Sequence, residues 1–145
     1  MAITSAICTR FKVEVLKGVH NFTATSGNTF KIALYDSDAT LGASTTAFST
    51  SEEITNTSGT AYTSGGATLT SVTPVASSTT AVCDFSDVSY SSASFTANGA
   101  LIYNSSASNV AVCAIAFGSD KTATNGTFTI QFPTADATNA IIRLA

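Results

Sequence analysis

Charge is what this sequence has least of. Only 10% of its 145 residues are Asp, Glu, Lys or Arg, against roughly 25% in an average soluble domain. There is no Trp, and there is a single His. Each shortage closes a class of function. Six basic residues against nine acidic ones, net −3, leave no basic stripe to neutralise phosphates, so direct nucleic-acid binding is not expected. No apolar run reaches the length of a membrane-spanning helix. Three cysteines, Cys8, Cys83 and Cys113, are an odd number at wide spacings. They contain no CxxC pair, so neither a zinc site nor a disulfide framework is expected. The N-terminus lacks the charged and then apolar pattern of a signal peptide, which places synthesis in a reducing cytoplasm. The four N-x-S/T sequons at Asn21, Asn56, Asn104 and Asn125 are then by-products of a chain that is roughly a third Ser and Thr. A surface of hydroxyls repels its neighbours weakly, which suits a subunit of a large assembly.

The missing motifs narrow the chemistry further. No GxSxG elbow accompanies His20, so His20 reads as a polar surface residue at the end of an element. No GK[ST] follows Gly59, Gly65 or Gly66, which excludes a P-loop. Asp36 and Asp38, and likewise Asp84 and Asp87, resemble metal-ligating pairs. Calcium needs six to eight oxygens and no EF-hand loop follows, so they read as turn residues. Glu52 and Glu53 are adjacent in sequence, point apart, and read as a solvated loop face. Tyr35, Tyr62, Tyr90 and Tyr103 are the only candidates for a sugar-stacking face, and no Trp supports them. No catalytic residue, cofactor or metal is expected, and the chain reads as a non-enzyme.

What the chain does have is apolar periodicity. Residues 98–118 are its most apolar run. They read as strands at 100–103 and 110–117 joined by a turn at 104–109. Val110, Val112, Ala114 and Ala116 point one way and Ala111, Cys113, Ile115 and Phe117 the other. Both faces are apolar, so this strand should be covered on both sides, and Ile115→Asp should unfold the protein.

Residues 3–22 carry Ile3, Ile7, Phe11, Val15 and Val19 every fourth position, which predicts a helix with Ser5 as cap and Gly18 as terminator. The F-K-V-E-V alternation at 11–15 allows a strand instead. On a helix, Val13 and Leu16 fall off the stripe and are either exposed or turned to a partner.

Further strands are predicted at 29–35, 67–73 (ended by Pro74), 80–85, 88–90, 94–97, 126–132 and 140–144, with turns or loops at 36–39, 119–125 and 133–139. Residues 40–66 form a long Ser/Thr/Gly-rich loop pinned by Leu41, Phe48, Ile54 and Tyr62. A loop of that length tends to contact a partner. The expected fold is mainly β: a single domain over residues 1–145, with an N-terminal helix or extended arm at 1–28 and a β-sandwich or jelly-roll-like body of about eight strands at 29–145.

Charge is unevenly distributed. Residues 1–31 hold Arg10, Lys12, Lys17 and Lys31 against Glu14, while the rest holds Lys121 and Arg143 against eight acids. A basic end on an acidic body suits docking on an acidic surface. The candidate docking residues are Arg10, Lys12, Val13, Leu16 and Lys17 in the first segment, and Phe48, Ile54 and Tyr62 in the loop.

The order of landmarks is informative in its own right. The chain runs I-C-T-R-F-K-V-E-V-L-K-G-V-H-N-F (7–22), F-K-I-A-L-Y (30–35), A-T-L-G-A-S-T-T-A-F-S (39–49), T-A-Y-T-S-G-G-A-T-L (60–69), C-D-F-S-D-V (83–88), A-L-I-Y-N (100–104), T-N-G-T-F-T-I-Q-F-P (124–133) and A-I-I-R-L-A (140–145). Over nearly its whole length this resembles a family of small virion structural proteins of tailed bacteriophages. The resemblance implies a capsid decoration (cement) role: a protein made in the host bacterial cytoplasm, located on the virion's capsid surface, partnered with the major capsid protein, and assembled as a homo-oligomer, a trimer by preference. The alternatives it leaves open are a ring component of the tail or neck, and a surface module binding a receptor or glycan.

Overall fold

The computed structural model describes residues 2–55 and 61–145. Among them are one helix and eight strands in two antiparallel sheets, the mainly β fold expected. The elements are β1 (Ala6–Ile7), α1 (Thr9–Leu16), β2 (Phe30–Tyr35), β3 (Ala67–Thr68), β4 (Ser71–Ser77), β5 (Thr80–Phe85), β6 (Val88–Asn104), β7 (Val110–Ile130) and β8 (Ile142–Leu144). The larger sheet has the order β1-β7-β6-β2-β3 and the smaller β4-β5-β8.

The β6–β7 hairpin is the spine of the larger sheet. Its register runs from Asn104↔Val110 at the turn to Val88↔Ile130 at the far end. The three separate strands expected over 88–103 are one strand, and so are the two expected over 110–132. The turn expected at 119–125 is instead strand with bulges. Between Ala97↔Lys121 and Gly99↔Ala116 the register slips, so four residues of β7, 117–120, stand opposite the single Asn98. Gly118 has φ +83° there and Asn125 has φ +46° further along. Gly and Asn tolerate the left-handed region, so they bend a strand without ending it. Asn98 Nδ2 donates to Asp120 Oδ1 at 2.8 Å and ties the bulge down.

Pro74 does not end a strand either. It lies inside β4, at the register shift between Val72 and Val75. β4 is an edge strand, and an edge bulge is where a residue without an N–H is tolerated.

The densest stretch is buried on both faces as far as Ala114. Beyond it Ile115, Ala116 and Phe117 are only half-buried. Ile115→Asp therefore meets water more easily than expected, and Val112, fully buried, is the stronger test of the two-faced core.

Aromatic side chains join the layers. Phe11 of α1 packs edge-on against Phe22, which stacks on Phe30 of β2 with centroids 4.2 Å apart. Phe30 meets Phe85 of β5 at 5.7 Å, bringing the two sheets together. A second cluster links Tyr62, Tyr90, Phe95 and Phe128.

The helix is shorter than its apolar stripe suggests. Ala6–Ile7 instead form β1, paired with Cys113 and Ala114 of β7. Ser5 does not cap α1; its Oγ accepts the Ala116 N–H at 2.9 Å. The N-cap is Cys8, with no side-chain bond to the helix. Gly18 at φ +72° lets the chain turn away after the last helical turn, as expected.

The long loop is stitched down rather than free. Ala111 N–H donates to Thr46 O and Phe48 N–H to Asn109 O, while Asp36 N–H donates to Glu52 O and Ile54 N–H to Leu34 O. Leu41, Ile54 and Tyr62 are buried as pins.

Candidate docking face and the polar network behind it

Eight residues make a marginal helix on their own. α1 is held by Phe11, which is buried in the aromatic layer. Fixing Phe11 inward turns Val13 and Leu16 outward, 49% and 90% exposed, with Val19 beyond the helix end at 40%. Lys12 and Lys17 are exposed beside them. Arg10 is also exposed, but its Nε donates to Glu14 Oε1 at 2.9 Å, so its charge is partly spent within the helix. Five of the eight candidate docking residues thus lie on or beside one short helix. Its outward side is an apolar ridge flanked by two lysines.

The loop residues do not join this face. Ile54 and Tyr62 are buried in the protein's own core, so neither offers surface to a partner. Phe48 lies flat on Tyr103, centroids 4.6 Å apart and rings 15° from parallel. The reason lies in Glu53, which was expected to face solvent and is 7% exposed. Its carboxylate accepts from Tyr62 Oη at 2.6 Å, Ser64 Oγ at 2.8 Å and Gly65 N–H at 2.6 Å. Tyr62 Oη in turn accepts the Leu34 N–H at 3.0 Å. Burial, then the bond to Glu53, pushes the Tyr62 hydroxyl well above the usual phenol range. Gly66 closes this corner at φ +79°, and a Cβ there would overlap the Ile32 carbonyl.

All four tyrosines are buried, so none presents a ring to a sugar. Gly59 and the sequon at Asn56 lie outside the described residues.

Asp36, Asp38 and Glu52 bring a carboxylate oxygen each within 4.8 Å of one another. Asp36 Oδ1 accepts the Asp38 N–H at 2.9 Å, the turn role expected of that pair. Asp84 and Asp87 do not converge: Asp84 Oδ1 accepts the Phe85 N–H, and Asp87 Oδ1 the Phe132 N–H, each at 2.8 Å.

The cysteines are buried and free. Burial raises the thiols to about 11 at Cys8 and about 12 at Cys83 and Cys113, so they stay protonated and inert.

Besides Glu53, sequence reasoning missed two features. One is an apolar groove of about 830 Å³ lined by Ile7, Ile115, Phe117, Phe128, Phe132 and Ile141. The other is His20, whose side chain is fully buried rather than on the surface. His20 Nε2 lies 2.9 Å from Glu14 Oε2, and Nδ1 lies 2.9 Å from Asn104 Nδ2. Its ring packs on Phe11 at 4.7 Å. Burial opposes ionisation of Glu14, but the hydrogen bonds from Arg10 and His20 and the charge of Arg10 outweigh it and hold the carboxyl below its ordinary range. No periodicity signals a contact between residues 84 positions apart.

No helix among the described residues is long and apolar enough to cross a membrane. No known family, curated protein or solved structure matches the chain.

Proposed function

We propose that this protein is a non-enzymatic virion structural protein, a capsid decoration (cement) subunit that docks on the head shell of a tailed bacteriophage. The observation that carries the docking claim is the α1 ridge, where Leu16 is 90% exposed and Val13 49% on a helix anchored from beneath by Phe11. A large apolar side chain held rigidly in water is what a partner surface covers. Lys12 and Lys17 select an acidic rim around the apolar spot. The resemblance of the landmark order supplies the phage setting, with the major capsid protein as partner and a trimer as the favoured assembly. Binding that favours the expanded shell stabilises it by linkage, and no chemistry is required.

The test uses purified protein added to heads lacking it, with retained protein quantified after sedimentation. Burying a leucine side chain stabilises by about 2 kcal/mol, so Leu16→Asp should weaken binding by at least ~30-fold. A folded Leu16→Asp variant that coats heads like wild type would overturn the α1 assignment. Failure of the wild type to bind any head preparation would overturn the cement role.

A further inference from the structure

His20 sits between two groups that make opposite demands on it. Asn104 is fully buried, and its amide orientation is fixed by its other contacts. Its Oδ1 accepts the Ser106 N–H at 3.0 Å, and a backbone amide can only donate. Its Nδ2 therefore faces Asn28 Oδ1 at 3.0 Å and His20 Nδ1 at 2.9 Å. Asn28 Oδ1 also accepts the Asn21 N–H at 2.8 Å, which fixes that amide in turn. His20 Nδ1 must then be a lone-pair acceptor, and its proton lies on Nε2, donated to Glu14 Oε2. The neutral tautomer satisfies every partner.

A second proton on His20 can go only to Nδ1. There it would point at the N–H of Asn104, two donors 2.9 Å apart with no acceptor between them. Glu14 pulls in the other direction, because its carboxylate favours an imidazolium. Glu14 and Arg10, both on α1, are the charged groups that the described contacts bring to this site. The β6 side and the 21–28 segment offer only amides and backbone.

We propose that His20 is a proton-operated latch joining α1 and the segment after it to the β6–β7 turn. It is closed while Nδ1 is bare and is released when Nδ1 is protonated. Release frees the one side-chain tie between His20 and Asn104 and leaves the Glu14–His20 and Asn28–Asn104 contacts intact, so the helix end and residues 17–20 loosen from the turn while the sheets stay folded. The latch does not depend on what α1 docks against, although any partner that holds the Leu16 ridge would sense its release.

The experiment is nitrogen-15 NMR of the histidine ring with amide hydrogen exchange, on the whole protein, from pH 8 to pH 5. At the upper end the expected state has Nδ1 bare and Nε2 protonated. Protonation of Nδ1 should coincide with loss of the Asn104 side-chain hydrogen bond. It should also raise exchange, corrected for the intrinsic pH dependence, by about tenfold in residues 17–20 and 104–106, with β2 and residues 88–103 of β6 unchanged. His20→Gln is the control, since a Gln amide can accept from Asn104 and donate to Glu14 without titrating, and its exchange should show no such step. Glu14→Gln should move the step to lower pH, because the anion that favours the imidazolium is gone. A proton on Nδ1 at pH 8, Nδ1 protonation without faster exchange, or a step that persists in His20→Gln would each overturn the latch. If His20→Gln fails to fold, the ring assignment and Glu14→Gln still decide.

Discussion

Glu53 shows how much one side chain can organise. Its carboxylate accepts three hydrogen bonds, one of them from a buried tyrosine, and so closes the corner between the long loop and β2. In Glu53→Gln the amide nitrogen can turn to Ser64, whose hydroxyl accepts in place of donating, but the buried Tyr62 and Gly65 donors lose their charged acceptor. The expected loss is about 1–3 kcal/mol in urea unfolding, and an unchanged midpoint would show that the corner contributes nothing. Tyr90 makes the opposite case. Its hydroxyl is buried without a well-formed hydrogen bond, the Ala67 backbone offering only a weak contact. Tyr90→Phe removes a desolvated group at the cost of a weak contact only, so it should leave stability within about 0.5 kcal/mol of wild type or raise it. At Asp136 the Thr138 hydroxyl, then the Thr138 and Asn139 amides, hold the carboxyl at about 2, below its ordinary 3.8. The folded form holds this proton less tightly than the unfolded chain does. The turn's contribution is thus complete above pH 3.8 and is lost as the pH falls through 2. The Thr138 and Asn139 amide shifts, followed by NMR, should titrate with that low midpoint.

Among the elements, what could be read from sequence divides along local and long-range lines. β2 and β5 were legible because their alternation and bounding turn residues are local. The outward placement of Val13 and Leu16 was legible because helical periodicity, once anchored on Phe11, leaves them no inward position. The fusion of short strands into β6 and β7 was not legible. Gly118 and Asn125 carry the same chemistry at a turn and at a bulge, and only pairing with β6 decides between them. Glu53 was hidden because its three donors come from residues 9 to 12 positions away, across a loop with no period. His20 was hidden because its decisive partner lies on the far side of the sheet sequence. At the hairpin, Val112→Asp should abolish folding, since it places a charge where both faces are dry. Ile115→Asp, half-buried beside the groove, should yield a folded but less stable protein. Circular dichroism with thermal melting separates the two. Equal loss of structure in both would mean that the groove side is closed in solution.

As a whole the molecule is two sheets joined by aromatic side chains, with a small helix anchored on the outside. Its three thiols all lie in the interior, each raised by burial. In the native state they should therefore be unreactive to an aromatic disulfide reagent, and all three should react after denaturation. Fast labelling of any of them under native conditions would show that the layers open locally.

The placement of β1 has a consequence for how the chain is made. Residues 6–7 complete the edge of the larger sheet by pairing with residues 113–114. Residues 6–7 must therefore wait until residues 113–114 have been made before they have a partner. Such long-range closure is entropically slow, in the range of milliseconds to seconds for β-rich domains of this kind. On the ribosome residues 6–7 are left waiting, and the edge of β7 at 113–114 stays open until they close on it.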